Sequence, residues 1–265
     1  MQASSAKPGS KAEGRSALVT VAISTLGQGL HRIQPPRAVA DITYLILLQR
    51  PEEADPEVRA ALTARADLQV IPLGGIGLSN SRNEALKQAK TPFLLFADDD
   101  QSLDPAGILL LAETFFQDSD LALVAGWRRE RLPQKARPRQ ALTRFNSGRI
   151  CAPEFMVDLP RIRAAGLWFD PEFGLGAGYG IGEDYIFVCD ILRAGLRGMA
   201  VPVVTGSHPH ESTGDNWSDP KIMRARQAMI SRVFGPWAPL IRLAYGWKHR
   251  WRFGSGRRIF TFIFG

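Results

Sequence analysis

Cysteine is scarce in this chain of 265 residues: there are two, Cys151 and Cys189. Their wide separation fits neither a disulfide framework nor the close pairs of a structural zinc site, so a stapled scaffold is excluded and a reducing compartment is expected. No apolar run is long enough to span a bilayer. The first fifteen residues, MQASSAKPGSKAEGR, lack the apolar stretch of a secretory signal and are expected to form a flexible leader, 1–15. Acidic residues are missing from Lys221 to Gly265, a stretch that carries ten Lys and Arg. Because the whole chain has a formal net charge of +7, the other 220 residues hold about −3. The basicity is therefore local, and no nucleic-acid partner is expected for the body.

That basic stretch also holds Trp237, Trp247, Trp251 and Phe260 among Arg242, Lys248, Arg250 and Arg252. An amphipathic segment of this kind suits the interface of an anionic membrane, where each cation near the surface is worth roughly 1 kcal/mol. The segment 219–265 is expected to lie on such a surface, at the inner face of the cytoplasmic membrane; a basic helix packed on its own domain or on nucleic acid is the alternative.

Upstream, apolar strand candidates at 17–24, 41–48, 68–72, 93–97 and 121–127 alternate with helical patterns at 56–66, 79–89, 105–116 and 182–193. The alternation predicts an α/β domain, 16–218, with a mostly parallel sheet covered by helices and ligands at the carboxyl ends of the strands. Asp104 and Pro105 read as the cap and first position of one helix. The triplet Asp98-Asp99-Asp100 is thus left without a capping role. In an extended segment Asp98 and Asp100 would share a side, with Asp99 opposite, and two close carboxylates invite a cation such as Mg²⁺ or Mn²⁺.

Three further motifs bear on chemistry. Leu73-Gly-Gly-Ile-Gly-Leu-Ser-Asn-Ser-Arg-Asn83 is a glycine-rich turn entering a helix, where Arg82 is electrostatically misplaced unless an anion is near; a diphosphate would serve. Glycines at alternate positions from Gly174 to Gly182 precede Glu183 and Asp184 in the first turn of a helix, whose dipole would keep a carboxylate ionised for use as a general base. His208 and His210 lie two apart in a polar loop, where an imidazole could complete a metal shell or hold a phosphate.

Taken in order, Ile23-Ser24-Thr25, Gly77-Leu-Ser-Asn-Ser-Arg-Asn83, Asp98-Asp99-Asp100, Gly182-Glu183-Asp184 and His208-Pro-His-Glu-Ser-Thr-Gly214 resemble the family 2 glycosyltransferases of the GT-A fold, particularly those that build bacterial surface polysaccharides. The resemblance implies a Rossmann-like sheet flanked by helices, followed here by an amphipathic helical tail. It implies nucleotide-sugar contacts from Ser24, Thr25, Gln49, Arg82, Asp98 and Asp99, a metal at Asp100 with His208 or His210 as further candidates, and Asp184 as catalytic base with Glu183 orienting the acceptor. The implied reaction is inverting, Mg²⁺- or Mn²⁺-dependent transfer of a sugar from a nucleotide-diphosphate donor to a hydroxyl of a glycan acceptor, lipid-linked in view of the tail. A metal-dependent nucleotidyltransferase and a non-catalytic glycan-binding relative are the alternatives.

Overall fold

The computed structural model describes residues 17–135, 137–210 and 212–265. The leader expected at 1–15 lies outside the described residues, as does Glu211 of the histidine loop. In chain order the elements are β1 (Val19–Leu26), β2 (Ile42–Gln49), α1 (Pro56–Thr63), β3 (Leu68–Leu73), α2 (Leu78–Gln88), β4 (Phe93–Asp98), β5 (Ser102–Leu103), α3 (Pro105–Gln117), β6 (Leu121–Arg128), β7 (Gln140–Ala141), β8 (Phe155–Asp158), α4 (Leu159–Ala164), α5 (Glu183–Arg193), β9 (Arg197–Ser207), α6 (Pro220–Phe234), α7 (Ala238–Lys248) and α8 (Gly256–Phe264).

One mixed sheet runs β3-β2-β1-β4-β8-β6-β9-β5, with β7 also on β9. Its first four strands are parallel, as the alternation predicts, and β8 then pairs antiparallel with both β4 and β6. Side chains alternate between two buried layers. Val21, Ile23, Ile46 and Leu95 face α1 and α3, whereas Ala22, Leu47, Leu94 and Phe96 face α2, α4 and α5. Burial on both faces is why these strands read as near-continuous apolar runs.

Four of the helices start where an aspartate precedes proline. Asp55, Asp104, Asp158 and Asp219 each accept a backbone N–H from the helix they open, with Pro in its first two positions. Asp104 is indeed the cap of α3, accepting from Gly107 at 3.2 Å. The basic C-terminal segment is more folded than a simple tail. Val233 of α6 packs with Ile186 and Cys189 of α5, and Trp217, Ile230, Phe253 and Phe262 form a small core under α6, α7 and α8.

Candidate active site

Parallel strands in register bring several of the sequence-predicted residues to one edge of the sheet. Ser24 of β1 stands opposite Asp98 of β4, and Leu26 opposite Gln49 of β2. Beyond that edge lie the first turns of α2 and α5. Both helices begin at a glycine with positive φ, Gly77 (126°) and Gly182 (109°), a backbone that side-chain-bearing residues rarely adopt. The two glycine-rich loops meet: Leu78 N–H donates to Leu175 C=O at 2.8 Å, and Ser79 Oγ to Phe173 C=O at 2.6 Å.

Arg82 is the centre of the assembly. It is 1% exposed, and its guanidinium donates to Asp98 Oδ1 at 3.1 Å, to Glu183 Oε1 at 3.3 Å and, through a very short bond, to Asp184 Oδ1. The cation expected to require a bound anion is thus matched by three carboxylates of the chain itself. Burial would lower its pKa, but Asp184, Asp98 and Glu183 outweigh that and raise it. Asp184 also accepts Ala152 N–H at 3.2 Å.

The helix dipole was expected to keep Asp184 ionised. Burial works the other way. Desolvation pushes its pKa from the ordinary 3.8 to about 8, against the pull of Arg82 and with the repulsion of Glu183 and Asp98 added. The Glu183 carboxyl is raised too, first by burial. One guanidinium shared with the half-buried Asp98 cannot balance the two buried carboxylates, so Glu183 and Asp184 keep their protons further up the pH scale.

The aspartate triplet does not continue as a strand. β4 stops at Asp98 and Asp99 and Asp100 turn away, so the alternation assumed from sequence does not govern them. Each carboxylate has its own destination. Asp98 meets Arg82 and is also held by Gln101, which accepts Asp98 N–H at 2.9 Å and donates to its Oδ2 at 3.1 Å. Asp99 is buried, accepting a bond from Thr25 Oγ1 at 2.6 Å and three from the Arg32 guanidinium at 2.8–3.1 Å. Asp100 is the more open one and faces His208 Nε2 at 3.2 Å.

The remaining predicted residues take positioning contacts. Ser24 Oγ is 2.8 Å from Ser81 Oγ, and Gln49 Oε1 accepts Gly77 N–H at 2.6 Å, pinning the glycine-rich turn to β2. His210 is exposed, its ring centroid 6.1 Å from that of His208. Of the two histidine candidates only His208 turns toward Asp100, and among the described residues no three His, Cys, Asp or Glu side chains gather as a metal site. What fits a divalent cation is Asp100 itself, the one carboxylate of the triplet with no arginine on it; such cations often take one or two protein carboxylates, with water and phosphate oxygens completing the shell. Arg32, Gln101 and Arg128 were missed from sequence. They act through contacts across 67, 51 and 80 residues, or through short turns, and no motif marks them.

The glycosyl transferase family 2 model matches residues 54–162, from the approach to α1 into α4. Over that stretch the chain is similar to the family 2 glycosyltransferases. Solved glycosyltransferase structures share its fold. S. aureus TarS 1-349, in complex with UDP, is 15% identical, covering 91% of this chain and 73% of its own, with a TM-score of 0.55. The same protein in complex with UDP-GlcNAc is 15% identical over 82% of this chain and 67% of its own, TM-score 0.53. Mannosyltransferase PcManGT from Pyrobaculum calidifontis, in complex with GDP-Man and Mn²⁺, is 14% identical over 94% of this chain and 74% of its own, TM-score 0.56. At such identities the likeness is one of fold, here the GT-A glycosyltransferase fold. No curated protein sequence matches the chain. The family signature and the fold together support sugar transfer from a nucleotide sugar.

Proposed function

We propose that the protein is an inverting glycosyltransferase that moves a sugar from a nucleotide-diphosphate donor to a hydroxyl of a glycan acceptor, with Asp184 as general base. The observation that carries this reading is the convergence of Asp98, Arg82, Glu183 and Asp184 where β4 ends and α2 and α5 begin. Ser24, Thr25 and Gln49 line the neighbouring strand ends, where the nucleoside is placed by this reading, with Asp98 and Asp99 fixing the turn beside it. The Asp184 carboxylate takes the proton of the acceptor hydroxyl, and that oxygen bonds to the anomeric carbon as the bond from carbon to the diphosphate oxygen breaks. The electron pair leaves with the nucleoside diphosphate, and one displacement inverts the anomeric centre. Glu183, beside Asp184, orients the acceptor, and Arg82 holds both carboxylates in place. Asp100 would hold Mg²⁺ or Mn²⁺, which supplies charge neutralisation for the departing diphosphate.

The acceptor is proposed to be lipid-linked, as in bacterial surface polysaccharide synthesis, with the enzyme peripheral on the cytoplasmic membrane. Support comes from one face of the C-terminal helices. Trp237, just before α7, and Leu240, Leu243 and Trp247 within it are exposed at spacings of three and four residues, and Trp251 follows, 80% exposed, with Arg250 stacked on both Trp247 and Trp251. A face of tryptophan and leucine amid arginine, with no acidic residue after Asp219, suits an anionic lipid interface. Among the described residues, no helix is long and apolar enough to cross a membrane.

The purified protein incubated with a panel of nucleotide sugars and Mn²⁺ should release the nucleoside diphosphate from one of them. Release of pyrophosphate from a nucleoside triphosphate and a sugar phosphate would replace this reading with a nucleotidyltransferase. Sugar-nucleotide binding without turnover, equal in wild type and Asp184→Asn, would replace it with a non-catalytic glycan-binding relative.

A further inference from the structure

In the small core under α6, α7 and α8 two guanidiniums meet one indole. Trp217 and Arg226 are 8% and 6% exposed. The Arg226 Cζ lies 3.9 Å from the centre of the Trp217 ring, and the Arg252 Cζ lies 5.3 Å from it. Tyr245 stacks on the same indole at 5.9 Å. Stacking occupies the faces of these groups and leaves their N–H donors. Arg226 Nη2 donates to Gly214 C=O, but Arg226 Nη1 and Trp217 Nε1 are buried with no hydrogen-bond partner among the described residues. Both groups donate and neither accepts, so only an acceptor can satisfy them.

The charge is unmatched as well. Among the described residues neither Arg226 nor Arg252 forms an ion pair. Asp215, the acid whose field reaches Arg226, is already engaged: its carboxylate accepts Ser212 N–H at 3.1 Å and lies 3.8 Å from Arg131. Arg82 and Arg226 are both buried, yet the outcome is opposite. Three carboxylates raise the pKa of Arg82, whereas burial lowers that of Arg226 by more than Tyr245 and Asp215 raise it, and Arg252 pushes the same way as burial. A buried charge is normally paired, and here the chain supplies no pair.

We infer that Arg226, Arg252 and the Trp217 indole N–H form a binding site for a phosphate group, one that the proposed sugar transfer does not use. Two forked cations and a neutral donor match an anion with three or more oxygens. Arg252 is exposed and its guanidinium makes no hydrogen bond among the described residues, so it is the wall that moves to admit the anion. The same turn carries the exposed Trp251, with Trp247 one helical turn before it, which sets the site at the edge of the proposed membrane face. The phosphate comes from an anionic lipid headgroup or from free phosphate. The lipid source rests on the reading of α7 as a membrane face; phosphate binding does not.

The test uses the full chain labelled with ¹⁵N-tryptophan, with the Trp217 indole signal assigned by its loss in Trp217→Phe. It is titrated at constant ionic strength with inorganic phosphate and, separately, with monomeric dihexanoyl phosphatidic acid. The Trp217 signal should move saturably with at least one of them and not with chloride. Tighter binding of the lipid identifies a headgroup, and equal binding identifies free phosphate. Arg252→Gln should weaken binding about tenfold, the worth of a charge-assisted hydrogen bond, and Arg226→Met should abolish it. No movement with either ligand, or wild-type affinity in both arginine variants, would overturn the inference. Phosphate should also raise the thermal midpoint of the wild type. In phosphate-free buffer Arg226→Met should keep or raise that midpoint, because it removes a buried charge without a partner. A lower midpoint in that variant, together with a wild-type midpoint that phosphate leaves unchanged, would make Arg226 a packing residue and overturn the inference too. Should Arg226→Met not fold, Arg252→Gln, which changes an exposed side chain, decides alone, and wild-type affinity there overturns the site. Wild type that fails to sediment with phosphatidic acid vesicles would refute the membrane face and the lipid source, while the inorganic phosphate titration still decides the site.

Discussion

Asp184 shares its guanidinium partner with two other carboxylates, and that sharing governs how it titrates. As the proposed base it must be ionised, and its pKa near 8 means that it is mostly protonated at lower pH. Transfer by the free enzyme should therefore rise with pH through about 8, as kcat/KM measured from pH 6 to 9.5 would show. Asp184→Asn should lower kcat by about 10²–10⁴-fold, the usual worth of a general base, while calorimetry finds donor binding retained. The effect on stability has the opposite sign to the effect on activity. A carboxyl whose folded pKa lies above its unfolded one contributes stability that is fully present below the unfolded value, near 3.8, and is lost as pH rises through about 8. Urea unfolding should show the wild type losing stability between pH 5 and 9, with a flatter slope in Asp184→Asn. Arg82→Met removes the guanidinium that contacts all three carboxylates and should cost about 3–5 kcal/mol in the same assay.

At the scale of the element, the start of α5 determines where Glu183 and Asp184 point. Gly182 combines a φ of 109° with a tight fit, since an added Cβ would stand 3.0 Å from Met229 Cγ of α6. Gly182→Ala should destabilise the fold by about 1–3 kcal/mol and reduce transfer further, because relief of the strain must move the first turn of α5. Thermal unfolding beside an activity assay of the same sample would check both. Helices α1, α2, α3 and α5 and strands β1–β4 and β6 were legible in the sequence because each carries a local signal: a capping aspartate before proline, a glycine-rich entry to a helix, or an apolar run. β8 and β9 were not. β8 has four residues, and β9 contains Gly198, Pro202 and Gly206 and pairs through bulges, so neither repeats a period long enough to read.

At the scale of the whole molecule, the basic C-terminal segment has an inner and an outer side. α6 packs on α5, as a helix belonging to the domain would, while the outer face of α7 keeps its tryptophans in solvent. A peripheral membrane face predicts that Trp247→Ala combined with Trp251→Ala weakens sedimentation with phosphatidylserine vesicles by roughly tenfold, given the apolar area lost from the interface. Salt should weaken the remaining binding, since the arginines act through a screened field. Equal sedimentation of wild type and double variant would refute the membrane face.

The sequence by itself determined which segments stand out as candidates for chemistry: the aspartates ending an apolar strand, the two glycine-rich entries to helices, the acidic pair after Gly182 and the histidine loop. These are local patterns, and local physics, strand burial, helix capping and the freedom of glycine, is enough to expose them. Only the tertiary structure decided how those charges are matched. Arg82 meets Asp98, Glu183 and Asp184 across 16, 101 and 102 residues, Arg32 meets Asp99 across 67, and Arg128 meets His208 across 80. Charge pairing and desolvation depend on distance in space, and a sequence orders residues only along the chain.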